Sequence, residues 1–190
     1  MKQKMITVTK LTHSRWLNLF RAKYTNSKGK TGFWMFASRK EEPLKDDKPD
    51  AVVLVVTVDT PEGRKLVVTK EYRVPINDYE YGFPAGLIDG DETLYSAAKR
   101  ELKEETGLDI VSVTEVSNKV VSSAGLSDET VVMMFIEAKG ELSAKYQEDT
   151  EDIEAFLYDI KDIRNLLASD KKIGAKGWGV LHYFSKMGKI

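Results

Sequence analysis

The chemistry in this chain is concentrated in one segment, GLIDGDETLYSAAKRELKEETGL, Gly86 to Leu108. Wound into a helix at about 100° per residue, Leu94, Ala97, Ala98 and Leu102 fall on one side, as an amphipathic helix requires, yet Glu101 and Glu105 point the same way. Like charges one turn apart repel, and a buried carboxylate without a partner is costly. Lys99 and Lys103 already occupy the solvent side and Glu104 lies at the flank, so this is not an evenly solvated acidic helix. Convergent carboxylates in a partly dry site make sense around a hard divalent cation, and Mg2+ takes oxygen ligands of this kind, usually together with substrate phosphates. Gly107 is placed to close the helix as a C-cap. The glycine-bearing loop from Gly86 to Gly90 brings backbone carbonyl groups to the start of the segment.

Gly86, Glu92, Arg100, Glu101, Leu102, Glu104, Glu105, Gly107 and Leu108 stand at every fixed position of the Nudix box. The chain therefore resembles the Nudix hydrolases, whose fold is a mixed sheet between helices. Most of them hydrolyse a nucleoside diphosphate linked to another moiety with Mg2+ or Mn2+. The resemblance implies Glu101, Glu105 and the Ala85 carbonyl oxygen as metal ligands, with Glu104 assisting. It implies for Glu92 and Arg100 a structural role, bracing the loop against the helix. Hydrolysis also needs a base to deprotonate the attacking water. In similar enzymes an acidic loop downstream supplies it, and YQEDTEDIEAFLYDI occupies that place. By position Glu151 is the expected base or additional metal ligand, with Glu148 and Asp149 as neighbours able to share the work.

The flanks of the box resemble one branch of the family, the ADP-ribose pyrophosphatases. KEYRVPINDYEYGFPAGLIDGDE carries an aromatic-Arg-x-Pro segment ahead of Phe-Pro-Ala-Gly-Leu-Ile, and SSAGLSDE resembles the branch signature further on. Ala124 replaces a usual proline of that signature, and Gly82 stands where a glutamate usually precedes Phe-Pro-Ala-Gly. Upstream, RWLNLFRAKYTNSKGKTGFWMFASRK looks like the β-region through which those enzymes form swapped dimers. Trp16 and Trp34 match the two tryptophans that sandwich adenine there, and Arg73 and Arg39 become candidate donors to phosphate or terminal ribose. The implied activity is hydrolysis of the diphosphate bond of ADP-ribose or a related nucleoside diphosphate sugar by a homodimer. The alternatives are a GDP-sugar or broad nucleoside diphosphate sugar pyrophosphatase, or a non-catalytic sensor of ADP-ribose.

These residues need a scaffold, and the patterning supplies one. Residues 5–38 alternate apolar and polar around a TNSKGKTG turn, which predicts two or three antiparallel strands. SRKEEPLKDDKPD, Ser38 to Asp50, is a charged run with two prolines and reads as a linker. AVVLVVTVD and KLVVTKEY predict a hairpin of well-buried strands, VVMMFIEAKG another strand, and YDIKDIRNLLASD and GWGVLHYFSKM helices. The expected class is α/β (α+β): residues 1–45 a β-appendage for dimerisation and base binding, residues 46–190 the hydrolase domain.

Composition removes other possibilities. With 190 residues, 42% hydrophobic and 31% charged, the chain is long enough to bury a core. Lysine plus arginine number 29 against 30 acids, so no net field favours nucleic acid or a membrane surface. The absence of cysteine excludes disulfides, thiolate metal sites and cysteine nucleophiles. MKQKMITVTKL lacks the apolar run of a signal peptide, and Ala51 to Val58 is too short to span a bilayer, so the expected setting is the cytoplasm.

Overall fold

The computed structural model describes residues 4–45, 48–147 and 151–188. Its contacts divide the chain into two compact units, residues 1–50 with 119–131, and residues 51–118 with 132–190.

The larger unit is built on strand β4, numbered here after three N-terminal strands. β4 (Ala51–Thr60) is rich in β-branched residues, and all of Ala51 to Val56 is buried, so both faces of this strand are covered. The chain turns at Gly63, whose φ of +116° suits a residue without Cβ. β5 (Gly63–Arg73) returns antiparallel to β4, with Thr57 opposite Leu66 and Thr60 opposite Gly63. A 3-10 turn at Val74–Ile76, with Asn77 in the left-handed region at φ +48°, leads to β6 (Asp78–Gly82), antiparallel to β5. β7 (Ala85–Leu87) pairs with the start of β4.

Helix α1 (Leu94–Thr106) follows, then β8 (Asp109–Val116), β9 (Val120–Val121), β10 (Thr130–Lys139), β11 (Ile153–Tyr158), α2 (Ile160–Ala168), β12 (Lys172–Ile173) and α3 (Ala175–Met187). The strand order is β12-β6-β5-β4-β10-β8, with β11 added on β5. β12 runs parallel to β6, whereas β5–β6, β5–β11 and β8–β10 are antiparallel. This is the mixed sheet with flanking helices that the sequence leads one to expect. No helix among the described residues is long and apolar enough to cross a membrane.

Both ends of α1 are chemically fixed. Thr93 caps the N-terminus by accepting from the Ser96 amide, and the Ser96 hydroxyl accepts from the Thr93 amide in return. Gly107 ends the helix at φ +76°, its amide bonded to the Lys103 carbonyl. Between the caps, Ala97, Ala98 and Leu102 pack into a core with Val52, Leu54, Val56, Leu108, Met134 and Ile136. The two alanines bring the helix backbone close to the sheet.

In the smaller unit β1 (Lys4–Lys10), β2 (Asn18–Thr25) and β3 (Thr31–Ser38) form an antiparallel sheet. Phe20 and Phe36, paired across β2 and β3, stack 5.8 Å apart over a small core with Ala22. The segment 119–131 completes this unit. The Ala37 amide donates to the Leu126 carbonyl at 2.7 Å, and Ser38 Oγ lies 3.1 Å from Asp128. The two ends of the charged run are anchored here: Ser38 is buried, and Lys40 pairs with Asp50 at 3.1 Å with both side chains mostly covered.

Leu102 is fully buried. Leu102→Ala should cost about 2–5 kcal/mol through lost burial and the cavity left behind, read as a lower midpoint in urea unfolding.

Candidate active site

The α1 carboxylates are buried as the helical wheel predicts: Glu101 is 7% exposed and Glu105 4%. Their surroundings explain how the fold tolerates them. Arg100 Nη1 donates to Glu101 at 2.7 Å and to Glu104 at 3.1 Å, while its Nε and Nη2 grip Glu92 at 3.1 and 2.9 Å. Nη2 also donates to the Leu87 carbonyl at 3.0 Å, and the Glu92 carboxylate accepts the Asp89 amide. Arg100 therefore ties the 86–92 loop to the helix and lends positive charge to Glu101. The guanidinium is pushed further above its ordinary value, first by the Glu92 bond, and Glu92 is held below its own by the same contact.

Glu105 has less relief. Among the described residues its carboxylate accepts only the Ala85 amide, at 3.3 and 3.4 Å. Burial pushes its pKa well up, and the charges of Glu101, Glu71 and Glu151 add to the effect. Glu101 is also raised, by burial first, against the pull of Arg100. A buried, incompletely compensated pair of carboxylates beside a backbone loop is a donor set of hard oxygens, which fits a divalent cation of the Mg2+ class. Gly86 shows how tight the loop is: a Cβ there would lie 1.7 Å from a Glu101 carboxylate oxygen. The Glu101 side chain thus fills the space that any larger residue at 86 would take. Among the described residues no three acidic or histidine side chains are gathered as a ready cation shell. Arg100 holds Glu101 and Glu104 together instead.

Of the downstream acids, Glu151 is described and exposed, and its charge is felt by Glu71, Glu101 and Glu105. Glu148 and Asp149 lie outside the described residues. Gln147, just before them, donates from Nε2 to the Ile153 carbonyl at 2.7 Å and more weakly to the Glu105 carbonyl at 3.4 Å. Arg73, at the end of β5, is clasped by Glu71 at 2.6 Å and Glu80 at 3.2 Å.

Glu71 was not among the residues expected from the sequence. It is partly buried, and burial raises its pKa. Its signal was faint: it stands two residues after buried Thr69, on the same face of β5. Glu80 faces Glu71 across the strands, and Arg73 bridges the two. Gly82, where a glutamate was expected, leaves open space around the position a Cβ would take.

The other expected binding residues sit in the smaller unit. Trp16 is 67% exposed with the Arg15 guanidinium 4.3 Å over its ring, and Trp34, opposite Ala22 in the β2–β3 pair, is half exposed. Arg39 makes a long ion pair with Glu129 at 3.8 Å. It lines a cavity of about 190 Å3 together with Ser38, Asp50, Leu126 and Asp128.

The NUDIX domain profile matches residues 48–177. The chain belongs to the NUDIX family. It is accordingly an enzyme, a Nudix hydrolase. It is 32% identical to the mouse ADP-sugar pyrophosphatase over 69% of this chain and 59% of that one. To the Bacillus subtilis ADP-ribose pyrophosphatase it is 30% identical over 71% of each. Among solved structures, an ADP compounds hydrolase superposes with a TM-score of 0.74, covering 100% of this chain and 98% of that one. At 20% identity that likeness concerns the fold.

The Glu105 environment predicts a pH dependence. A carboxyl with a higher pKa folded than unfolded adds stability below its ordinary value near 4.5, and that stability is lost as pH rises through the raised folded value. At pH 8 without divalent metal, Glu105→Gln should therefore melt above the wild type, and the difference should shrink as pH falls toward 5. Thermal melts across that range in EDTA check this. Gly86→Ala, in contrast, should melt below the wild type, because Glu101 must leave its place.

Proposed function

We propose that the chain is a Mg2+-dependent hydrolase of the diphosphate bond of ADP-ribose or a related nucleoside diphosphate sugar. The products are a nucleoside monophosphate and a sugar phosphate. The observation that carries this reading is the pair of buried carboxylates, Glu101 and Glu105, facing the Gly86 loop with only partial compensation of charge. The names carried by the mouse and Bacillus subtilis relatives support an ADP-linked sugar over other nucleotides.

In this reading Glu101, Glu105 and the Ala85 carbonyl would hold Mg2+, with Mn2+ as a substitute, Glu104 at the rim, and Glu151 as the base, its alternative role being a further metal ligand. The bound cation supplies charge neutralisation at the diphosphate and a more acidic water. The chain's own groups do the rest. Glu151 accepts the proton of the attacking water, and Glu148 is the neighbour able to share that work. Arg100 keeps Glu101 and Glu104 in one orientation through its bonds to Glu92 and the Leu87 carbonyl. Arg73, immobilised by Glu71 and Glu80, presents a planar donor to phosphate or ribose oxygens, and Arg39 is a second such donor.

Residues 1–45 serve dimerisation and base binding, and 46–190 the chemistry. Exposed Trp16 and Trp34 are stacking surfaces for the base, one from each copy in a homodimer. The exposed β2–β3 face bearing Leu19, Phe33 and Met35 gives that region apolar surface for a second copy to cover.

Release of the matching nucleoside monophosphate from a panel of ADP-, GDP- and UDP-sugars, with and without Mg2+, tests the assignment. ADP-ribose should be cleaved and EDTA should abolish the reaction. Turnover of GDP-sugars alone would redirect the specificity. Glu101→Gln and Glu105→Gln should each lower kcat by about a hundredfold or more while the fold survives. Trp34→Ala should raise KM for ADP-ribose about tenfold with a smaller change in kcat, since base stacking contributes roughly 1–3 kcal/mol.

A further inference from the structure

The acid assigned as base stands one residue before Asp152, whose contacts are set by the neighbouring strands. Glu151 precedes β11, whose first residue, Ile153, pairs with Glu71 of β5. Between them stands Asp152, held twice from the neighbouring strands. Its carbonyl accepts the Tyr72 amide at 3.1 Å, extending the β5–β11 ladder by one bond. Its carboxylate accepts the Tyr79 hydroxyl at 2.8 Å.

Tyr79 is itself well fixed. It lies opposite Tyr72 in the β5–β6 pair, and the two rings meet edge to face at 5.5 Å. Tyr72 is oriented by its hydroxyl bond to Asn77 at 2.7 Å. The Lys70 ammonium sits 4.3 Å over the Tyr79 ring while pairing with Glu154 of β11 at 3.3 Å. The phenol is thus a rigid post on β6 that reaches the residue next to Glu151.

The geometry points to Tyr79 as a positioning residue that fixes Glu151 through the Tyr79–Asp152 hydrogen bond. The inference rests on the assignment of Glu151 above. A hydroxyl–carboxylate bond next to the base restricts the backbone from which Glu151 projects, and a loss of alignment appears in the chemical step rather than in substrate binding. Removing only the hydroxyl isolates this effect, because phenylalanine keeps the ring contacts with Tyr72 and Lys70.

The experiment compares Tyr79→Phe, Asp152→Ala, Glu151→Gln and the double variant Tyr79→Phe/Glu151→Gln, assayed with ADP-ribose and MgCl2. Tyr79→Phe should lower kcat roughly fivefold to tenfold, the loss of one hydrogen bond, with KM within about twofold. Asp152→Ala should match it. The double variant should be no slower than Glu151→Gln alone, since the post has nothing left to align. In metal-free protein the Tyr72 amide, which donates to Asp152, should exchange faster in Tyr79→Phe while amides of α1 are unchanged. Unaltered kcat in Tyr79→Phe beside a large loss in Glu151→Gln would overturn the positioning role and leave the base in place. Multiplying losses in the double variant would overturn it as well, by showing that Tyr79 acts elsewhere. An unaffected Glu151→Gln would remove the base itself, and the inference with it.

Discussion

The constraint on which the larger unit turns is the placement of two like charges on the buried face of α1. A helix that docks on a sheet through Ala97, Ala98 and Leu102 ordinarily buries an apolar stripe. Here Glu101 and Glu105 interrupt that stripe at the edge nearest the 85–92 loop. Everything around them answers to the resulting electrostatic cost. Gly86 leaves the room a carboxylate occupies, Arg100 reaches back to Glu101 and Glu104, and the Ala85 amide is directed at Glu105. The compensation is incomplete at Glu105, which is why burial drives its pKa well up. A site that holds unsatisfied charge has an affinity for a cation that a fully paired one lacks.

Arg100 links this local electrostatics to backbone structure. Through Glu92 and the Leu87 carbonyl it makes the glycine loop and the helix one rigid piece. Arg73 does the same on the opposite strands, joining Glu71 and Glu80 across the β5–β6 pair. In both cases an arginine's planar set of donors reconciles carboxylates that would otherwise repel. Such ion-pair networks add little to stability when exposed. Their effect here is orientation, because carboxylates bonded to one planar guanidinium are held in fixed positions relative to it.

Much of this was legible in the primary structure. The spacing of glutamates, leucine and alanines within 94–105 fixes both the helix and which of its faces the acids share, because that relation depends only on residues within a few turns. Gly107 as C-cap, the β4–β5 hairpin, and the strand and helices that follow are local in the same sense, and all appear. The charged run at 38–50 reads as a linker, yet Ser38 is buried and Lys40 and Asp50 are partners. Pairing across ten residues leaves no periodic trace.

What only the tertiary structure decided are contacts between residues far apart in the chain. Segment 119–131 completes the N-terminal unit through the Leu126 carbonyl and Asp128, a relation invisible to a reading that runs along the sequence. The charge of Glu71 acts on Glu105 although the two are far apart in the chain, and Tyr79 meets Asp152 because β6 and β11 both pair with β5. The sequence by itself determined the helix and the face on which its acids converge, since helical and strand periodicity are short-range properties of the backbone. The tertiary structure determined which distant groups tune and align those acids, since strand order and register arise from packing the whole core and are encoded in no single segment.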